Sequence, residues 1–123
     1  MVQRIPANHG DPTSPACLVA GDYIFLSHHA GGYDKDDVAH QTRAAFESLS
    51  ATLAKVGASI EDMVQIHLYL KDLDDFDAAR TVFFEFFKAD SFPPRMTSTS
   101  RFLDERCLCM LDGIAYKPWG ASL

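Results

Sequence analysis

Met63-Val64-Gln65-Ile66-His67-Leu68-Tyr69-Leu70 runs directly into Lys71-Asp72-Leu73-Asp74-Asp75 and then into Phe76-Asp77-Ala78-Ala79-Arg80-Thr81-Val82-Phe83-Phe84-Glu85-Phe86-Phe87-Lys88. In the first segment Val64, Ile66, Leu68 and Leu70 alternate with Met63, Gln65, His67 and Tyr69, which predicts a strand with one apolar and one mixed face. The acidic run is a turn that also caps the next element. Phe76, Ala79, Phe83 and Phe86 recur at helical steps, and Phe84 and Phe87 widen the stripe, so a helix is predicted over about 76–88. Ser91-Phe92-Pro93-Pro94 stops it, because proline cannot continue the helical ladder. Arg95–Ser100 alternates again, with Met96, Ser98 and Ser100 opposite Arg95, Thr97 and Thr99. Two strands joined through a helix favour parallel pairing.

The same reading extends outward. Ala16–Ala20 and Tyr23–Ser27 are short strands about Gly21-Asp22, and Ala30-Gly31-Gly32-Tyr33-Asp34 is a loop. A long helix is predicted from about Asp37 to Val56, capped by Asp36 or Asp37, with Val38, Thr42, Ala45, Leu49, Leu53 and Val56 on its core stripe and Gly57 as its left-handed stop. Cys107–Tyr116 is the last strand, after a charged turn containing Arg101, Asp104, Glu105 and Arg106. Residues 1–15, polar and punctuated by proline and glycine, read as an extended arm. The order is that of an α+β domain: a mixed sheet with both helices on one face. A sheet face left bare in so small a domain predicts an oligomer.

The length of 123 residues suits a single domain, and 47% hydrophobic with 23% charged residues is an ordinary globular balance. No apolar run is long enough for a membrane span, and Met1-Val2-Gln3-Arg4-Ile5-Pro6 lacks the apolar core of a signal peptide, so a cytoplasmic location is expected. Cys17, Cys107 and Cys109 then read as reduced, structural thiols. A net charge of −6 argues against a protein that tracks nucleic-acid phosphates.

Few residues carry a chemical signal of their own. Arg95 follows two prolines at the mouth of a strand, where its guanidinium is either an aimed fork for a carboxylate or a surface ion-pair partner. Asp112 shares a strand face with Leu108, Met110, Ile114 and Tyr116; it has either a raised pKa or a cationic partner, or it is a charge that blocks edge pairing. Ser27 beside His28-His29 lacks a third triad member and a nucleophile elbow. His9, His28, His29, His40 and His67 show no metal-ligand spacing, and neither a phosphate loop nor a dinucleotide fingerprint is present, so no metal or cofactor is expected.

Leu70-Lys71-Asp72-Leu73-Asp74-Asp75-Phe76, the phenylalanine-rich helix and Phe92-Pro93-Pro94-Arg95 together resemble the reactive-intermediate deaminase (RidA/YjgF) family. Gly21-Asp22-Tyr23-Ile24-Phe25-Leu26-Ser27 resembles the same family's early strand, and the spacing from Arg95 to Asp112-Gly113-Ile114-Ala115 matches it without gaps. The resemblance covers nearly the whole chain. It implies a chorismate-mutase-like fold with a six-stranded sheet, assembled as a homotrimer with ligand clefts between subunits. It also implies cofactor-free hydrolysis of small 2-imino or 2-enamino acids to 2-keto acids and ammonia. By the same resemblance Arg95 holds the substrate carboxylate, Asp112 stands for the family's water-positioning glutamate, and Ser27 matches its strand-end serine. His28, Thr97 and Arg80 fall at pocket positions usually held by glycine, cysteine and asparagine, and Ser14 falls at that of a tyrosine. This altered shell keeps a second reading open, a non-catalytic trimeric module that binds small carboxylates. Ribonuclease activity, a name attached to some relatives, is disfavoured by the acidic charge.

Overall fold

The computed structural model describes residues 2–118. Six strands, β1 (Val2–Ile5), β2 (Cys17–Ala20), β3 (Tyr23–His29), β4 (Met63–Leu70), β5 (Arg95–Thr99) and β6 (Cys109–Tyr116), join helices α1 (Val38–Lys55) and α2 (Phe76–Phe86) in an α+β fold. The sheet order is β1-β2-β3-β6-β4-β5. All neighbours are antiparallel except β4 and β5, the pair that α2 connects. The predicted crossover is therefore present, and β6 is threaded between the two strands that α1 separates in sequence.

Several boundaries differ from the sequence reading: β3 runs on to His29 rather than ending at Ser27, α2 ends at Phe86 rather than Lys88, and two further differences have visible causes. The arm does not stay outside the sheet: Val2–Ile5 pairs with Cys17–Ala20 as the edge strand, and Met1 lies outside the described residues. The last strand starts at Cys109 rather than Cys107, because Gln41 of α1 claims the residues before it. The buried Gln41 amide donates to the carbonyls of Lys35 and Arg106 at 3.0 and 2.9 Å and accepts from the Leu108 N–H at 2.8 Å. The side chain thus takes over bonds that a strand partner would have made.

Helix α1 begins at the Asp37 carboxylate, which accepts from the N–H groups of Ala39 and His40, and ends at Gly57 with φ 76°. Its buried stripe includes Val38, Thr42, Ala45, Leu49 and Leu53 as expected. Phe46 adds a second contact face, stacking on Phe86 at 4.5 Å and meeting Phe83 edge-on at 4.9 Å. This ring cluster joins the two helices, and together they cover Ile24, Leu26, Ile66, Leu68, Leu70 and Leu111. Phe84 lies off that stripe and is 58% exposed. Among the described residues no helix is long and apolar enough to cross a membrane, and the three cysteines are free and buried.

The strict alternation expected along β4 is broken at its start. Met63 pairs with Ala115 and Gln65 with Ile114, so two steps on β4 match one on β6. This bulge turns Val64 outward (42% exposed) and buries Met63 beside Ile66. It also brings the Gln65 carbonyl against Gly113, where a β-carbon would stand 2.2 Å from that oxygen and 2.6 Å from the Met63 methyl. Backbone cannot yield there as a flexible side chain would. Gly113→Ala is expected to destabilise the protein by about 2–4 kcal/mol, measured as a lower urea midpoint. An unchanged midpoint would show that the bulge relaxes freely.

Candidate functional site

The expected site residues fall into two groups on opposite faces of the sheet. Ile66, Leu68 and Leu70 face the helices, and in the β4–β5 register they stand opposite Arg95, Thr97 and Thr99. Arg95 is therefore on the helix side. His67 stands opposite Asp112 in the β4–β6 register, which puts Asp112 on the uncovered side. One chain does not bring Arg95 and Asp112 together.

On the helix side, Arg95 opens β5 directly after Pro94, and its guanidinium lies 5.1 Å from the centre of the Phe76 ring and 5.4 Å from that of Phe83. Its Nε donates to the Thr97 hydroxyl at 3.1 Å, so this predicted pair is adjacent. Arg80 sits over the Phe84 ring at 5.6 Å. Both arginines line one recess of about 120 Å³ with Phe83, Phe84, Phe92 and Pro93. Among the described residues neither forms an ion pair, unlike Arg43 with Glu85 and Arg106 with Asp104. Burial lowers the pKa of Arg95, and the charge of Arg80 lowers it further.

On the uncovered side a second bulge decides the geometry. Leu26 pairs with Gly113 and His29 with Leu111, which leaves Ser27 and His28 together opposite Asp112. Leu26 and His29 both turn inward, while His28 reaches outward to within 3.3 Å (Nε2 to Oδ2) of Asp112. The Tyr69 hydroxyl donates to the same oxygen at 2.7 Å. Both contacts fall on Oδ2. Tyr69 stacks on His67 at 3.9 Å, and His67 bonds the Ser98 hydroxyl at 2.9 Å. The phenol of Tyr69 is pushed up to about 12, first by burial and then by the Asp112 hydrogen bond, so it stays a donor at neutral pH. Ser27 donates to the Ala16 carbonyl at 3.1 Å and lines, with His28, His29, Met110 and Ser48 of α1, a cleft of about 320 Å³ at the end of β3.

Asp112 lies on β6, between β3 and β4, so it is not the edge-strand charge of the second sequence alternative; an imidazole and a phenol face it. Tyr69, His67 and Ser98 were not foreseen as site residues. The alternation of β4 did place His67 and Tyr69 on its mixed face; what was missing was the register that sets them opposite β6 and β5. Ser14 is exposed, in the loop before β2. Among the described residues no group of His, Cys, Asp and Glu is arranged to hold a metal ion.

This fold belongs to a recognised class. The profile of the Endoribonuclease L-PSP family matches residues 14–117. A RutC family protein of Pyrococcus abyssi is 35% identical over 112 residues, covering 86% of this chain and 87% of its own. A protein of Dermatophagoides farinae named 2-iminobutanoate/2-iminopropanoate deaminase is 30% identical over 92 residues, 70% of each chain. The crystal structure of a YjgF family member from Neisseria meningitidis superimposes with a TM-score of 0.86 over 95% of both chains at 20% identity, a likeness of fold. The chain belongs to the Endoribonuclease L-PSP family, the YjgF/RutC proteins, as its motifs led one to expect.

His29 gives the site region a pH signature. Its ring bonds the Ser27 carbonyl and the Thr52 hydroxyl at 2.7 and 2.8 Å. Burial lowers its pKa; the Ser27 bond opposes this, the charge of His28 adds to it, and that of Asp112 opposes it. The unfolded chain takes up this proton near pH 6.5, the folded chain only lower. Stability therefore rises with pH through that window and is lost as pH falls below about 6.5. The urea midpoint should drop between pH 7 and pH 5, and His29→Asn should flatten the drop. An equally steep drop in the variant would exclude His29 as its source.

Proposed function

We propose that the protein is an imine/enamine deaminase that hydrolyses small 2-imino or 2-enamino acids to 2-keto acids and ammonia. The observation that carries this reading is the Arg95 guanidinium, without an ion-pair partner among the described residues and held against aromatic rings at the mouth of a recess. A planar fork without a carboxylate of its own is suited to a carboxylate ligand. The similarity to a protein named 2-iminobutanoate/2-iminopropanoate deaminase supports the reaction class.

In this reading Arg95 binds the substrate carboxylate, with Thr97 steadying its Nε. Water adds to C2 to give a carbinolamine; the C–N bond then breaks, the nitrogen leaves as ammonia, and a C=O bond remains. The imine is electrophilic once protonated, so the protein has only to place water and handle protons. The Asp112 carboxylate offers Oδ1 to that water, because Tyr69 and His28 already occupy Oδ2. His28 is within reach to relay a proton, and Ser27 opens the cleft beside it.

The opposite-face geometry requires two copies for a complete site: Arg95, Thr97 and Arg80 from one subunit, and Asp112, His28 and Ser27 from a neighbour. A homotrimer supplies this arrangement. The apolar band on the uncovered sheet face, with Tyr23, Phe25, Met96 and Tyr116 each at least 40% exposed, supports assembly through that face. The same geometry also favours the second reading, a trimeric carboxylate-binding module, since the anion anchor stands apart from the water-handling group. RNA cleavage is disfavoured by a net charge of −6. A cytoplasmic location and freedom from cofactors complete the proposal.

The expected result is ammonia release from freshly generated 2-iminobutyrate well above background, reduced roughly 100-fold in kcat/KM by Arg95→Ala. Rates at background would refute the deaminase reading and leave the binding module. Arg95→Ala and Asp112→Asn subunits, each inactive alone, should complement when co-assembled. Random 1:1 trimers restore roughly a quarter of the sites if each site spans two subunits. Complete absence of rescue in verified mixed trimers would place the whole site within one chain.

A further inference from the structure

The recess on the helix side holds two guanidinium groups. Arg80 lies one turn before Phe84 on α2 and rests on that ring; Arg95 enters from β5 and rests on Phe76 and Phe83. Arg43, Arg106 and Lys117 have carboxylate partners, whereas neither of these two does among the described residues. On the same helix Glu85 is already held by Arg43 through two bonds of 2.8 and 2.7 Å, and Asp77, three residues before Arg80, forms no ion pair with it among the described residues. The charged group that acts on Arg95 is another cation, Arg80. Two like charges that line one recess repel each other, and among the described residues neither has an ion-pair partner. Apart from the two arginines the lining is apolar: Phe83, Phe84, Phe92 and Pro93.

We propose that the recess is built for a ligand with two anionic groups joined by a short apolar segment, and that the preferred substrate is a 2-imino dicarboxylate. This assignment rests on the deaminase reading for its chemistry, though not for its binding. Arg95 takes the carboxylate next to the imine carbon. Arg80 takes the distal carboxylate, and the intervening methylenes lie on the rings. A monocarboxylate satisfies only one arginine and leaves the repulsion half relieved. Hydrolysis of a 2-imino dicarboxylate proceeds as for any imine: water oxygen bonds to C2, the C–N bond breaks, and a 2-oxo dicarboxylate and ammonia result. The reaction class that supplies such a substrate is the dehydrogenation of an amino dicarboxylic acid.

The test compares 2-iminosuccinate with 2-iminobutyrate, each generated in the assay by an amino-acid oxidase, on the wild-type protein and on Arg80→Asn. Wild type should favour the dicarboxylate in kcat/KM by about tenfold or more, the range of one charge-assisted hydrogen-bonded contact. Arg80→Asn should bring the ratio close to one, and Arg80→Lys should keep part of the preference. If 2-iminobutyrate is turned over but wild type shows no preference, or Arg80→Asn leaves the preference intact, the dicarboxylate assignment is overturned and the deaminase reading stands. If neither imine is turned over, the deaminase reading fails, and calorimetry with succinate and butyrate decides the recess. Tighter binding of succinate that Arg80→Asn abolishes supports the two-arginine site; equal binding of the two acids refutes it.

Discussion

At Gly113 the central strand β6 has no side chain, because the carbonyl of Gln65 occupies the space a β-carbon would need. The rest of the architecture depends on this close approach. It accommodates the bulge that opens β4, and the bulge in turn sets the phase of every later residue on that strand. Ile66, Leu68 and Leu70 consequently face the helices, and His67 and Tyr69 face away. A slip of one residue would exchange those sets and leave the phenylalanine cluster of α1 and α2 without its partner surface. On the other edge of β6 the bulge of β3 opposes two residues, Ser27 and His28, to the single Asp112. The catalytic candidates on the uncovered face are therefore products of two irregularities in otherwise regular pairing.

The same phase separates Arg95 from Asp112. A parallel β4–β5 ladder commits Arg95 to the face of Ile66, and an antiparallel β4–β6 ladder commits Asp112 to the face of His67. A sheet about one residue thick cannot carry a small ligand from one face to the other. A small acid that touches both arginine and aspartate must lie where two copies meet, so substrate binding and assembly become one question. This also explains why the helix side can carry a cationic recess in an acidic protein. Arg80 and Arg95 are grouped by α2 and β5, while Asp72 caps the turn before α2 and Glu85 is held by Arg43.

Much of the fold was legible in the residues. The Met63–Leu70 strand was read with its observed ends, and the α1 helix was read to within a residue at each end, because the apolar period, the Asp37 cap and the Gly57 stop all point the same way. The edge strand Val2–Ile5 was not legible: its alternation is short and polar, and it is a strand only because β2 offers it an unpaired edge. The outward turn of Val64 was not legible either, since a bulge depends on the partner strand and leaves the local period unmarked. The place of Arg95 at the start of β5 was legible from its motif and from the prolines before it. Tyr69 was visible only as a residue of a mixed face, and its bond to Asp112 arises from a register joining positions far apart in the chain.

By itself, then, the sequence determined the element order, the helix limits, the helix-linked parallel pair and the family, all of which rest on local periodicity, capping and motif spacing. Tertiary structure alone decided that Arg95 and Asp112 occupy opposite faces, that His28 and Tyr69 share one carboxylate oxygen, and that Arg80 and Arg95 line one recess with no ion-pair partner among the described residues. The physical reason is that face and neighbour in a sheet depend on inter-strand register. Register is set by bulges and by one glycine's missing β-carbon, and those act between strands rather than along them.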